Sequence, residues 1–98
     1  MAERNQYTEE YLKEAHIFSI FNKEWIKSSE VCGCFYCQTT FDPGKIVEWT
    51  DIKHDKGATA LCPNCGIDSV IGSYPNWPVR DTRFLAAMRS YLFERNSY

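Results

Sequence analysis

The chain has 98 residues, with 11 Lys+Arg against 13 Asp+Glu, 44% hydrophobic residues, and three Trp, six Tyr and six Phe. A net charge of −2 excludes a strongly basic nucleic-acid clamp and a polyacidic tail, and the apolar content excludes general disorder. No apolar run approaches the roughly 18–20 residues of a membrane span, and no export-signal pattern follows Met1-Ala2-Glu3-Arg4-Asn5, so a cytoplasmic location is expected.

In chain order, Thr8-Glu9-Glu10 reads as a helix start, a capping hydroxyl followed by acids in the first turn. Tyr11, Leu12, Ala15, Ile17, Phe18 and Phe21 form a rough helical stripe. Asn22-Lys23-Glu24 reads as a second cap. One kinked helix or two short ones are therefore expected over 8–29. Asp42-Pro43-Gly44 is a turn signal, and Lys45–Trp49 reads as a strand after it. Asp51–Gly57 is a charged loop. Ala58–Leu61 is a second strand, and Val70-Ile71 a short third one. Pro75-Asn76-Trp77-Pro78 makes a stiff crossing. Asp81 or Thr82 then caps a last helix. There Phe84, Leu85, Met88, Tyr91 and Leu92 fall on one face, with Phe93 extending it.

The five cysteines carry the strongest signal. Cys34-Phe35-Tyr36-Cys37 and Cys62-Pro63-Asn64-Cys65-Gly66 are two C-x2-C pairs, with 24 residues between them. An odd count without an export signal argues against a disulfide framework. Two such pairs at this distance read as a four-thiolate metal site, Cys34, Cys37, Cys62 and Cys65. Two thiols three residues apart in a tight turn aim at one point. A tetrahedral sulfur set selects zinc, or iron of the rubredoxin type; one structural Zn²⁺ is expected. Gly66 supplies the left-handed residue that follows a knuckle. Gln38 stands in its place after the first pair. Cys32-Gly33-Cys34 is expected to turn Cys34 to the metal and Cys32 to the opposite face, as a small packing residue. His16 and His54 have no paired spacing and are not expected to be ligands.

The fold class expected is α+β. A small zinc ribbon of two or three short antiparallel strands carries two cysteine knuckles, flanked by N-terminal helices and a C-terminal amphipathic helix. The chain is taken as a single domain over 1–98, with a helical arm at 8–29, the ribbon at 32–72 and a covering helix at 81–95.

Catalytic patterns are absent from the sequence. Catalytic zinc keeps three protein ligands and an open position, whereas four cysteines close the shell. The deaminase pattern H-x-E with P-C-x-x-C fails at His54-Asp55-Lys56 and at Leu61-Cys62. No HExxH, G-x-S-x-G or phosphate loop occurs. An enzyme is not expected.

The span Cys34–Gly66 resembles zinc-ribbon and rubredoxin-like knuckle proteins. A longer likeness begins with Cys32-Gly33-Cys34-Phe35-Tyr36-Cys37 and Trp49-Thr50-Asp51. It continues with Thr59-Ala60-Leu61-Cys62-Pro63-Asn64-Cys65-Gly66-Ile67-Asp68-Ser69-Val70-Ile71-Gly72 and the Phe84-Leu85…Met88 helix. Over about two-thirds of the chain this resembles a family of small bacterial and phage proteins labelled "cytoplasmic protein". The resemblance implies a ribbon with helical cover. In size, acidity and aromatic content the chain also resembles phage-borne anti-CRISPR proteins, some of them small zinc-binding inhibitors of type II Cas nucleases.

Three functions are weighed from these features. The first is a protein-binding module, which includes the inhibitor class, with Tyr36, Trp49, Tyr74 and Trp77 as candidate contact residues because Trp and Tyr anchor interfaces. The second is nucleic-acid binding through Lys45, Lys53 and Lys56, with aromatics stacking on bases. The net acidity opposes that, since Lys and Arg supply the phosphate contacts. The third is electron transfer by iron. The four arginines of the last segment, Arg80, Arg83, Arg89 and Arg95, are spread around its helix and read as solvated charges. The oligomeric state is left open.

Overall fold

The computed structural model describes residues 7–55 and 57–94. The expectations placed on Met1–Asn5, Lys56 and Arg95 lie outside them.

The arm forms two helices. Helix α1 spans Glu9–Ile17, and Thr8 caps it by accepting from the Tyr11 N–H at 3.1 Å. Leu12 and Ala15 are its buried residues. The chain then turns through Phe21, whose φ is 50°. Helix α2, Lys23–Lys27, has only five residues, far fewer than an isolated helix needs. Tertiary contacts hold it: Ile26 is 1% exposed and packs under the metal-side cluster.

Asn22 occupies the N-cap position of α2, but its side chain makes no capping bond. It is fully buried and joins three segments instead. Its Nδ2 donates to the carbonyls of Phe18 (3.1 Å) and Val70 (2.9 Å), and its Oδ1 accepts from the Ala60 N–H at 3.0 Å. The bonds to Val70 and Ala60 link parts of the chain that no local periodicity connects.

Among the described residues, five short strands form two antiparallel sheets. The first contains β1 (Cys32–Cys34), β2 (Thr40–Phe41) and β5 (Val70–Gly72) in the order β2-β1-β5. Cys32 stands opposite Phe41 on one side and Gly72 on the other; Cys34 stands opposite Val70. The second pairs β3 (Trp49–Thr50) with β4 (Thr59–Ala60). The segment expected as a strand over Lys45–Trp49 is different. Asp42 caps a single 3₁₀ turn, Pro43–Lys45, by accepting from Gly44 N–H at 3.0 Å, and pairing starts only at Trp49. Pro43 presets that turn, and it uses the residues that would have begun the strand.

The central sheet divides the interior in two. One face, with Ile71, meets α1 and the last helix in a cluster of Leu12, Ala15, Phe35, Val79, Phe84, Leu85 and Met88. The other, with Cys32, Cys34 and Val70, meets Ile26, Ile46, Ala60 and Cys62. Gly33 lies between the two cysteines, and a Cβ there would touch Leu85 and Val79. Cys32 and Cys34 therefore point to the same face, which corrects the expectation of opposite faces. Side chains alternate with a period of two, so residues i and i+2 share a side. At Gly72 a side chain would run into the Ser29 hydroxyl, which donates to Trp25 O and accepts from Tyr74 N–H.

Helix α3 spans Thr82–Arg89, with Asp81 as its cap, accepting from Arg83 N–H at 2.9 Å. Phe84, Leu85 and Met88 are at most 1% exposed, worth about 1.5–3 kcal/mol each. A wider π-type turn, Ser90–Glu94, follows it. The Tyr7 hydroxyl donates to the other Asp81 oxygen at 2.5 Å, tying the start of the arm to the start of α3. The class is the α+β one expected, with β1 and β2 added to the ribbon.

Candidate metal centre

Each knuckle is a turn of the same design. The Cys34 N–H donates to Thr39 O (2.9 Å) and the Gln38 N–H returns to Cys34 O (2.7 Å). In the second, Cys62 N–H donates to Ile67 O (3.0 Å) and Gly66 N–H returns to Cys62 O (2.9 Å). The fifth position of each turn needs a left-handed backbone. Gly66 has φ 79° and Gln38 has φ 62°. Gln38 adopts the glycine conformation despite its Cβ, at a cost of about 1–2 kcal/mol.

These turns bring four thiols together. The sulfurs of Cys34, Cys37, Cys62 and Cys65 all lie within 4.8 Å of one another. Cys34 Sγ is 3.6 Å from Cys65 Sγ, and Cys37 Sγ is 3.7 Å from Cys62 Sγ. None of the four is in a disulfide. Four sulfurs about 2.3 Å from a central zinc in a tetrahedron stand about 3.8 Å apart. The set is thus a site for a single Zn²⁺, with all four ligands supplied by the chain.

The surroundings favour thiolates. Cys37 N–H points at Cys34 Sγ (3.4 Å), and the N–H groups of Asn64 (3.3 Å) and Cys65 (3.4 Å) point at Cys62 Sγ. Asn64 Nδ2 donates to Cys37 Sγ at 3.4 Å. The Thr39 hydroxyl is 3.2 Å from Cys37 Sγ, and the Ser69 hydroxyl 2.9 Å from Cys34 Sγ. With a thiolate at each, the hydroxyls donate. Without metal the four are not equivalent. Burial pushes the Cys34 thiol up to about 12 against the hydrogen bonds it receives. Burial also acts to raise Cys37, but Asn64 and Thr39 outweigh it and bring it down to about 6. Cys65 is raised, again by burial.

Cys32 is outside the four-sulfur set. It is fully buried, and burial with the charge of Asp42 pushes its thiol up to about 12. It packs as a small apolar group. Among the described residues, neither histidine joins the cluster. His54 stacks on Phe21 at 4.1 Å, and burial lowers the pKa of His16 while Asp68 opposes it.

The four aromatic contact candidates fall in different environments. Tyr36 is half-buried, under Arg89 and edge-on to Phe93 at 5.2 Å. Trp49 is half-buried against the metal-side cluster, with the Lys23 ammonium 5.8 Å from its ring centroid. Tyr74 is 44% exposed. Trp77 packs on the helix-side cluster, in ring contact with Tyr11, Phe18 and Phe84. The residues around the metal that motif reading passes over are Thr39, Asn64 and Ser69. Two of them lie within or two residues beyond a C-x2-C pair, where side chains reach a sulfur.

No family model matches the chain, and comparison with curated proteins and with solved structures returned no match. Among the described residues, no helix is long and apolar enough to cross a membrane.

Proposed function

We propose that the chain is a non-catalytic protein-interaction module built on its zinc ion, acting as an inhibitor of a nucleic-acid enzyme in the manner of the anti-CRISPR proteins it resembles. That resemblance makes a type II Cas nuclease the first target to try. The closed four-thiolate shell carries the non-catalytic reading. Four protein ligands leave zinc no open position for water or substrate, which is the arrangement of structural sites.

Two further features support it. Val47 is 78% exposed and Ile52 71%, on the segment leading into and out of β3. A partner seated there would remove both side chains from water, and that burial would add to binding. Four thiolates and one Zn²⁺ add −2 to the −2 of the chain, giving −4. An acidic body of this size competes with nucleic acid for a basic groove.

Nucleic-acid binding is the second reading, because Lys45 and Lys53 are exposed near the knuckles. Asp42, Glu48, Asp51 and Asp55 are exposed in the same stretch and offset them. A rubredoxin-like electron carrier is the third, and visible absorbance of the purified protein separates it from zinc.

Affinity capture from host lysate with zinc-loaded protein, with and without nuclease, tests the proposal. Retention of a nucleic-acid enzyme after nuclease treatment, with loss of that enzyme's activity on adding the chain, is expected. Captured material that vanishes with nuclease overturns it in favour of direct nucleic-acid binding.

A further inference from the structure

A groove of about 560 Å³ opens at the elbow between α1 and α2, lined by Ile17, Ile20, Phe21, Trp25 and Glu24. Its apolar walls have no folding role that explains them all. At about 100° per residue, Ile17 lies about 140° around α1 from Leu12 and about 200° from Ala15. Those two are the residues α1 buries, so Ile17 is on the far side of the helix. It is 57% exposed, and Ile20 is 39% exposed.

The elbow is also held in an unfavourable backbone state. Phe21 has φ 50°, a conformation that bulky residues rarely adopt. Its N–H donates to the Thr59 hydroxyl at 2.8 Å, and that hydroxyl donates to Asp51 at 2.9 Å. Backbone states of this kind persist only where the surroundings over-determine them, and they gather at binding sites.

Among the described residues, the one charged group in the lining is Glu24. Its side chain is 84% exposed and meets Lys27 only at 3.8 Å, with Lys27 itself 61% exposed. A pair so exposed is worth little and is readily exchanged. The Lys23 ammonium is turned over Trp49 instead. The groove therefore presents an apolar trough with one carboxylate at its rim. Two isoleucines and two half-buried aromatics present much less than the roughly 800 Å² per partner of a stable dimer interface. At about 560 Å³ the groove has the size of a pocket and not of a protein–protein face, which suits a short segment.

We propose that this groove docks a short segment of a partner protein that carries a large apolar residue next to a lysine or arginine, the apolar side chain entering between Ile17, Ile20 and Trp25 and the base pairing with Glu24. It rests on the reading of the chain as a protein-binding module and gives that module its contact site.

The test is selection of a random displayed peptide library on the zinc-loaded full chain, followed by affinity measurement on three proteins. These are the wild type, the Ile17→Glu/Ile20→Glu double variant and Glu24→Lys, with unchanged zinc content and melting as the control for folding. Enriched peptides are expected to pair a large apolar residue with a base, to bind the double variant at least tenfold more weakly, and to lose a similar factor on Glu24→Lys. Failure to enrich any peptide overturns the proposal, as does equal binding to all three proteins. Equal binding leaves the protein-interaction reading standing and removes only this site; a capture experiment without a protein partner removes that reading even where peptides bind. Sedimentation equilibrium supplies the remaining outcome: a dimer that Ile17→Glu dissolves assigns the groove to a second copy and overturns the proposal too.

Discussion

The Arg89 guanidinium donates to the carbonyl of Tyr36 at 2.6 Å and lies over the Tyr36 ring, 4.8 Å from its centroid. Tyr36 stands between the two cysteines of the first knuckle. The last turn of α3 therefore holds a zinc-binding turn in place, and this side chain couples the covering helix to the metal centre alongside the packing of Phe35 against Phe84, Leu85 and Met88. A charge-assisted hydrogen bond of this kind contributes about 1–2 kcal/mol when half-buried. Arg89→Ala is expected to lower the melting temperature of the zinc-loaded protein by roughly 4–15 °C. It should also speed zinc loss to a chelator. Arg89→Lys cannot reproduce the planar stacking and should recover only part of either effect. Unchanged melting and zinc release in Arg89→Ala would show the contact to be energetically idle.

The five cysteines separate into four and one. Cys62→Ser removes a ligand, and zinc content should fall well below one per chain with loss of ordered structure over 32–72. Cys32→Ala leaves the ligand set intact and creates only a small void. It should keep full zinc content at a cost of about 1 kcal/mol or less, by analogy with deletion of one buried group. Colorimetric zinc release after thiol modification measures both. Zinc loss in Cys32→Ala would place that residue in the coordination shell.

Acid should release the metal, and the sign follows from the free thiols. Zinc takes thiolates. Cys34 at about 12 and Cys65, raised by burial, are protonated at pH 7 where the fold survives, and thiols of the unfolded metal-free chain, at about 8.5, are protonated there as well, so binding expels at least two protons. Apparent zinc affinity should therefore rise at least about a hundredfold from pH 7 to pH 8 and fall at least as steeply for each unit below pH 7. Chelator competition at several pH values gives the slope. A flat profile over pH 7–8 would contradict this picture of the thiols.

Asn22 is the polar hub beneath the ribbon. Asn22→Ala leaves the Ala60 N–H and the Val70 carbonyl without their partner inside the protein. Each such loss costs about 1–3 kcal/mol, so a destabilisation of about 3 kcal/mol is expected in denaturant unfolding. A change below about 1 kcal/mol would mean that water replaces the side chain.

The two knuckles offer a matched pair of backbone tests. Gly66→Ala forces a Cβ into φ 79° and should cost about 1–2 kcal/mol. Gln38→Gly relieves the same conformation at φ 62° and should stabilise by about 0.5–1 kcal/mol. Opposite signs in the melting temperatures are expected; equal signs would contradict the equivalence of the turns.

The metal ligands are legible in the sequence because a C-x2-C pair is a local device, and two of them leave one economical solution. The helix caps Thr8 and Asp81 are legible for the same reason. What escapes is non-local. Strand β1 is paired with β5 across the intervening ribbon, and no spacing announces it. Asn22 resembles a helix cap in sequence but spends its amide on strands at Ala60 and Val70. Pro43-Gly44 reads as the turn before a strand, yet the turn continues through Lys45 and delays pairing to Trp49. Opposite faces for Cys32 and Cys34 would need an odd separation along the strand; the period of two sets them on one face. The distance of Cys32 from the metal comes from its place along β1.

The most direct test of the account is native mass spectrometry of the purified chain. One bound zinc per chain is predicted, on a compact charge-state distribution that shifts to high, unfolded charge states when the zinc is removed by chelation. A compact metal-free chain, or iron in the place of zinc, would contradict it.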